Sequence, residues 1–295
     1  MHKPVLLHAV CSGLALEAGS KVLDGTVGSG GHAEAMLKII GPSGLLIGLD
    51  QDQEAIERTE ERLRSIPGRY ILKRCNFRHL DQALLSLNIQ RVNAVLLDIG
   101  VSSEQLENAS RGFSFQEEGP LDMRMNQTEG RSAAQLVART SREELAVIFH
   151  QYGEERRARQ IAEMLVRERT QRPIATTRSL AQLIENITPA RFRFGRVHPA
   201  TRVFQALRIA VNDVLGSLEE ALPKALRSLR GGGRLAVISF HSLEDRIVKH
   251  FFVESTHSGE GRIMTKKPLR ASDEEIEANP RSRSAKLRVL ERTQP

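Results

Sequence analysis

The sequence contains no tryptophan, and its aromatic content is only 4%. So few aromatic side chains disfavour the Tyr- and Trp-rich binding surfaces of lectin-like or antibody-like proteins. The spacing of its two cysteines, Cys11 and Cys75, matches neither a disulfide framework nor a metal site, which is typical of proteins in a reducing cytosol. No apolar run approaches the roughly 20 residues that span a membrane, and no signal segment opens the chain. These absences predict a soluble, cytoplasmic protein.

The length and the positive net charge of the chain limit its domain organisation and its partners. Its 295 residues, 40% of them apolar, can form one large domain or two and can bury a substantial core. It carries 43 Lys and Arg against 36 Asp and Glu, a net charge of +7. This excess favours a polyanionic partner such as a nucleic acid.

The first third of the chain alternates short apolar runs with amphipathic stretches, the pattern of a parallel α/β sheet. The predicted strands are Lys21–Asp24, Leu45–Asp50, Tyr70–Arg74, Ala94–Ile99, Arg234–Phe240 and a last one at Leu287–Leu290. Between Arg111 and Ala200 only helical patterns appear, and one of them begins with a capping-box sequence at Ser141. A long helix is predicted over Ala200–Arg230, followed by a turn at Gly231–Gly233. We therefore predict an α/β domain built from residues 1–110 and 200–295, interrupted by an all-helical domain at 111–199.

Residues 22–32 carry the strongest functional signal. A short strand ends at Asp24, a glycine-dense turn follows, and an amphipathic helix begins behind it. Glycine lets the backbone pass close to a ligand, and the amides at the start of the helix attract electron-rich groups. This pattern predicts a nucleotide-type cofactor site at the end of the first strand.

Two cofactors fit this turn. Gly28, Gly30 and Ala33 match the dinucleotide fingerprint, with Asp50 as the ribose-binding acid. S-Adenosylmethionine fits better, because Asp24 precedes the glycines, where a carboxylate suits a cationic group and opposes a phosphate. The structural alternative for Asp24 is a turn former or helix cap.

Further candidates follow the later strands, because ligands of open α/β sheets bind at the carboxyl ends. Phe77 is suited to lie beside an adenine and equally to fill the core. Asp98 opens a polar segment containing Ser102 and Ser103, which is suited to an amine and equally to a capped helix start. His241 is a candidate proton acceptor, or else the cap of the following helix.

Taken together, these segments resemble the bacterial ribosomal RNA small-subunit methyltransferase H (MraW) family. The matching blocks are His2–Leu7, Gly30–His32, Leu96–Ser103, Arg111–Phe115, Gly119–Met125, Tyr152–Glu155, Phe204–Ile209, Ser239–Arg246 and Asn279–Arg288. They span nearly the whole chain in family order. The departures are small: Ile99 replaces the usual Leu, Glu104 the usual Pro and Glu107 the commoner Asp.

The resemblance implies a Rossmann-like class I methyltransferase domain with an inserted helical domain for substrate recognition. It implies S-adenosyl-L-methionine as cofactor and methylation of a cytosine N4 amine in the decoding region of 16S ribosomal RNA, within the small ribosomal subunit. The sequence contains no HExxH, CxxC pair or other metal motif, so no metal is expected. The cofactor contacts implied position by position are Gly30, Gly31, His32, Asp50, Phe77, Asp98 and Gln105. We add Asp24 on physical grounds alone. The catalytic candidates are Asp98 and His241, and the oligomeric state stays open, with a homodimer as one alternative.

Basic segments are the candidates for RNA contact. Arginines alternate with aromatics in Arg191–Arg196, and Arg111–Phe115 is similar in kind; bases stack on either kind of side chain. The alternative for each segment is a solvated basic loop with a hydrophobic anchor. The tail offers Lys266–Arg270 and the basic residues from Arg281 to Arg292 for phosphates. Two other functions compete with methylation: a nicotinamide-dependent oxidoreductase using the same turn, and a non-catalytic RNA-binding protein.

Overall fold

The computed structural model describes residues 4–190 and 198–293. The chain divides into two compact units, Met1–Gly100 with Leu215–Pro295, and Val101–Val214. The strands are β1 Lys21–Asp24, β2 Leu45–Asp50, β3 Tyr70–Arg74, β4 Val92–Asp98, β5 Leu229–Ser239, β6 Gly261–Ile263 and β7 Lys286–Arg292. The helices are α1 Leu7–Leu14, α2 Gly31–Ile40, α3 Gln53–Leu63, α4 Leu80–Ser86, α5 Ser103–Glu107, α6 Ala133–Arg139, α7 Arg142–Gly153, α8 Ala158–Arg169, α9 Thr177–Ile187, α10 Thr201–Asn212, α11 Val214–Ser228, α12 Ser242–His257 and α13 Asp273–Ala278. Short 3-10 turns cover Phe77–His79, Ala109–Arg111 and Pro280–Ser284.

The first unit is built on a seven-stranded sheet in the order β3-β2-β1-β4-β5-β7-β6. Strands β1 to β5 are parallel, whereas β7 runs antiparallel between β5 and β6. The central strands β1, β2 and β4 are almost entirely buried, which explains why they appear in the sequence as continuous apolar runs. The predicted parallel α/β sheet is confirmed.

Ion pairs fix the last strand in the sheet. Asp245 on α12 accepts hydrogen bonds from Arg288 Nε at 2.7 Å and Lys286 Nζ at 3.0 Å. Burial acts to raise the pKa of Asp245, but these two cations outweigh it and hold that pKa below its ordinary value. Two basic residues of the tail are therefore structural.

Two local predictions were wrong. Ala200–Arg230 is two helices, because Asp213 takes a left-handed conformation (φ 45°) between α10 and α11. The turn at Gly231–Gly233 lies inside β5, where pairing with β4 skips from Leu229 to Arg234. The tail also contains β6 and α13, which were not predicted, because its polar composition carries no periodic signal for them.

The second unit is helical and contains its own apolar core, formed by residues from Phe113 to Leu207. This unit runs from Val101 to Val214, whereas the predicted insert covers residues 111–199. It extends beyond residue 199 because α10 packs on α7 within it. Ser141 caps α7 in a capping box with Glu144, as predicted. Among the described residues no helix is long and apolar enough to cross a membrane.

Candidate active site

The carboxyl ends of β2, β1 and β4 lie side by side and place Asp50, Asp24 and Asp98 at one edge of the sheet. The strand order reverses at this point: β2 and β3 lie on one side of β1, and β4 lies on the other. Crevices of this kind are the usual ligand sites of open α/β sheets. The threonine hydroxyl of Thr26 accepts a hydrogen bond from the Asp98 amide at 2.7 Å and so ties the ends of β1 and β4 together.

Asp50 organises the glycine turn after β1. Its Oδ2 accepts from the Gly28 amide at 3.0 Å and its Oδ1 from the Asp52 amide at 2.9 Å. Gly28 and Gly30 have positive φ values of 53° and 78°, which side chains other than glycine rarely adopt. Burial raises the pKa of Asp50 to about 6, even though both amides act to lower it, so the carboxylate still predominates at neutral pH.

The turn is also held from α3. Thr59 Oγ1 donates to the Gly28 carbonyl at 3.0 Å and Arg62 Nη1 donates to the Ser29 carbonyl at 2.8 Å. These two residues were missed from the sequence, because they lie on an ordinary amphipathic helix about thirty residues downstream with no motif of their own.

Asp24 and Asp98 present carboxyl oxygens that no described residue satisfies. Asp24 is fully buried; its Oδ1 accepts from the Thr26 amide at 3.1 Å, whereas its Oδ2 has no hydrogen-bond partner. Asp98 Oδ1 is likewise shielded from solvent without a hydrogen bond. Buried polar atoms of this kind are costly unless a ligand or water satisfies them.

Burial and mutual repulsion perturb both groups. Burial raises the pKa of Asp24 to about 7 despite the Thr26 hydrogen bond, and the charge of Asp50 adds to the increase. Burial raises the pKa of Asp98 to about 8, with further increases from Asp24 and from Glu244 on α12. A cation bound among these groups would relieve the repulsion, and perturbed carboxyls in a crevice mark a functional site.

His32 lies in the first turn of α2 and is 7% exposed. Its Nε2 is 2.9 Å from the Val5 carbonyl, and its Nδ1 is 3.6 Å from Asp98 Oδ2. Gly30 is the N-cap of the same helix, and a Cβ on Gly31 would approach Pro4 to 3.1 Å. His32 therefore lies close to Asp98, and Gly30 and Gly31 begin the helix that carries it.

Phe77 begins the 3-10 turn after β3 and is 8% exposed. A Cβ placed on Gly25 would come within 3.3 Å of Phe77 Cβ and 2.6 Å of Leu97 Cδ2. Phe77 thus packs beside the end of β1, a position compatible with both of its predicted roles.

His241 is the N-cap of α12. Its Nδ1 accepts from the Glu244 amide at 3.4 Å, and its Nε2 is 2.9 Å from Glu244 Oε1. Glu244 Oε2 in turn accepts from the Phe240 amide at 2.9 Å. Because both ring nitrogens are engaged in the cap, the geometry favours the structural alternative for His241 over proton transfer.

The unsatisfied carboxyl oxygens of this crevice suit a cationic ligand. In their ionised forms, Asp24 and Asp98 can only accept hydrogen bonds through these oxygens and would repel a pyrophosphate. An ammonium and a sulfonium, the charged groups of S-adenosylmethionine, match them, and the ionised Asp50 carboxylate suits ribose hydroxyls. The residues present therefore fit S-adenosylmethionine and disfavour a dinucleotide.

Comparison with known proteins decides the family. The family model described as the MraW methylase family matches residues 1–293. The chain belongs to the MraW methylase family. It is 48% identical to the ribosomal RNA small subunit methyltransferase H of Syntrophotalea carbinolica, and equally to that of Heliobacterium modesticaldum, over 99% of this chain and 98% of each relative.

A solved structure supports the fold alone. A proposed rRNA methylase from Clostridium thermocellum matches with a TM-score of 0.50 and 13% identity, over 99% of this chain and 100% of that one. The Rossmann-like methyltransferase fold is confirmed. Membership of the MraW methylase family also decides against the nicotinamide-dependent oxidoreductase.

Gln105 belongs to the helical unit. It is 5% exposed and forms a capping box with Ser102 at the start of α5, which confirms the capped helix that was one alternative for this segment. Its contact with cofactor stays a prediction.

Several basic residues expected to touch RNA have structural roles instead. Arg111 and Phe113 are buried, and Arg111 Nη2 donates to the carbonyls of Arg124 and Met125, both at 3.1 Å. The prediction that this pair contacts RNA was wrong, because an arginine next to an aromatic also suits a buried cation–π contact. Here Arg111 Cζ lies 5.8 Å from the Phe113 ring centroid.

Residues 191–196 lie outside the described ranges. Within those ranges no cluster of three His, Cys, Asp or Glu could hold a metal ion.

Proposed function

We propose that this MraW methylase transfers a methyl group from S-adenosylmethionine to the N4 amine of a cytidine in 16S ribosomal RNA, within the small ribosomal subunit. The observation that carries this proposal is full-length similarity to relatives named for methylation of small-subunit ribosomal RNA. The orphaned carboxyl oxygens of Asp24 and Asp98 support it, because they suit a cationic methyl donor. A ribosomal RNA substrate also accounts for the net positive charge and favours a cytoplasmic location.

In this proposal each strand end holds one part of the cofactor. Asp50 binds the ribose hydroxyls, Asp24 takes the ammonium group, and the turn ending in Gly30, Gly31 and His32 covers the cofactor from the α2 side. Phe77 packs near the adenine. By resemblance to the family, we also assign a cofactor contact to Gln105.

S-Adenosylmethionine supplies a methyl group made electrophilic by its positive sulfur. The acceptor amine is a poor nucleophile, because its lone pair is delocalised into the pyrimidine ring. Holding that nitrogen at attack distance can supply about 7–11 kcal/mol of the barrier reduction. Asp98, with an unsatisfied oxygen in the crevice, accepts a hydrogen bond from the amine and opposes the positive charge that develops on it.

RNA reaches this crevice only with its target base unpaired or extruded. We assign substrate recognition to the helical unit, together with residues 191–196, and phosphate contact to the tail. Of the tail residues, Lys266, Lys267, Arg270 and Arg283 are exposed and available to phosphates, whereas Lys286 and Arg288 hold Asp245.

The function is tested with the purified full chain and labelled S-adenosylmethionine. Two substrates are compared: naked small-subunit RNA, and subunits from cells that lack this protein. Nucleosides from the digested RNA are identified by mass and chromatography against an N4-methylcytidine standard. Label in that nucleoside supports the proposal, and the preferred substrate shows whether RNA or the particle is recognised. Label at another atom, or none with either substrate, would refute it.

Asp50→Ala is expected to weaken S-adenosylmethionine binding by about 1–3 kcal/mol, because it removes charge-assisted hydrogen bonds to the cofactor and the acceptor of the Gly28 amide. Titration calorimetry at pH 7 measures the change. Asp50→Asn, which keeps one acceptor oxygen, should lose less. Equal affinities for Asp50→Ala and the unmodified chain would contradict the assignment.

A further inference from the structure

A hydrogen bond to the backbone fixes which nitrogen of the neutral His32 ring carries the proton. Its Nε2 lies 2.9 Å from the Val5 carbonyl, and a carbonyl oxygen only accepts hydrogen bonds, so Nε2 must carry a proton. In the neutral ring the lone pair is therefore on Nδ1. That atom is 3.6 Å from Asp98 Oδ2, within ion-pair range and longer than a hydrogen bond.

Burial and acidic neighbours oppose the ionisation of Asp98. Among the described residues, the acidic groups that act on it are Asp24 at the end of β1 and Glu244 on α12, and the basic group that faces it is His32 on α2. Burial and then the charges of the two acids raise the pKa of Asp98, and all three therefore favour its protonated form. A protonated Asp98 could donate to the acceptor amine but could not take a proton from it.

We propose that His32 is a positioning residue for proton transfer: its Nδ1 takes the proton that Asp98 would otherwise keep, which leaves Asp98 as the carboxylate that accepts the proton lost by the methylated amine. This inference rests on the proposed function. The amine nitrogen gains the methyl group, the electron pair of the methyl–sulfur bond stays with sulfur, and one N–H bond is replaced by an O–H bond on Asp98. His241 offers no alternative, because its ring nitrogens are both engaged with Glu244.

The rate test uses His32→Gln, because the glutamine amide can keep donating to Val5 but cannot hold an extra proton. Single-turnover methyl transfer is measured from pH 6 to pH 9.5 at saturating cofactor. At pH 7 we expect about a tenfold loss, because without His32 Nδ1 the buried Asp98 carboxyl keeps its proton, and each unit of pKa above the pH lowers the ionised fraction about tenfold. The loss should disappear above pH 9. His8→Gln, at an exposed position on α1, is the matched control and should follow the unmodified chain.

A second measurement does not depend on activity. Nitrogen-15 resonances of the histidine rings at pH 7 should show His32 protonated on both nitrogens in the unmodified chain and on Nε2 alone in Asp98→Asn. A pH profile of His32→Gln that parallels the unmodified chain, or a singly protonated His32 in both proteins, would overturn the inference. Absence of methyl transfer by the unmodified chain would instead count against the proposed function.

Discussion

Asp98→Asn is expected to slow methyl transfer by about a hundredfold to ten-thousandfold at saturating S-adenosylmethionine, the range found when an acid–base group is removed. Asparagine keeps the size of the side chain but can neither carry the negative charge that opposes the positive amine nor take its proton. The measurement is single-turnover transfer of labelled methyl to small-subunit RNA at pH 7.

Asp273→Asn is the control for this variant, because Asp273 is exposed on α13. It should leave the rate unchanged. An Asp98→Asn protein that methylates within about threefold of the unmodified chain would remove Asp98 from the chemistry, since general acid–base groups contribute far more than that.

Gly119→Ala is expected to lower the free energy of unfolding of the helical unit by at least about 3 kcal/mol. A Cβ at Gly119 would lie 1.8 Å from the Ala109 carbonyl oxygen, a backbone atom that cannot rotate away. Gly119 also exchanges hydrogen bonds with Thr177 at the start of α9, so displacing it disturbs that helix as well. Urea unfolding of the full chain, followed by far-ultraviolet circular dichroism, measures the loss.

Gly130→Ala is the matched control for steric overlap. Gly130 has a φ of 74°, but a Cβ there meets nothing within 4 Å, so only backbone strain of about 1–2 kcal/mol is expected. Equal destabilisation by the two variants would show that strain, and not the clash with Ala109, determines the effect.

The sequence predicted the sheet well because its central strands are buried on both faces. β1, β2 and β3 begin and end where their apolar runs do, and Asp24, Asp50 and Asp98 mark the ends of β1, β2 and β4. Features that depend on distant partners were predicted less well. β6 has only three residues, and the place of β7 between β5 and β6 follows from pairing that periodicity does not encode.

Local alternatives were decided by geometry. Ser102 and Gln105, and His241 and Glu244, have the spacing of a capping box, and the structure shows both boxes formed. The Arg111–Phe115 segment looked like an RNA-binding loop because residue type alone does not distinguish a buried cation–π pair from an exposed one.

By itself, the sequence determined the α/β class, the glycine turn after β1 and the acids at the strand ends, because backbone conformation and burial act on neighbouring residues and leave a local pattern. Only the tertiary structure decided which of those acids lack hydrogen-bond partners, that Thr59 and Arg62 hold the turn, and that His32 faces Asp98. Such relations join residues far apart in the chain. Their energies depend on distance and burial in three dimensions, which no spacing in the sequence records.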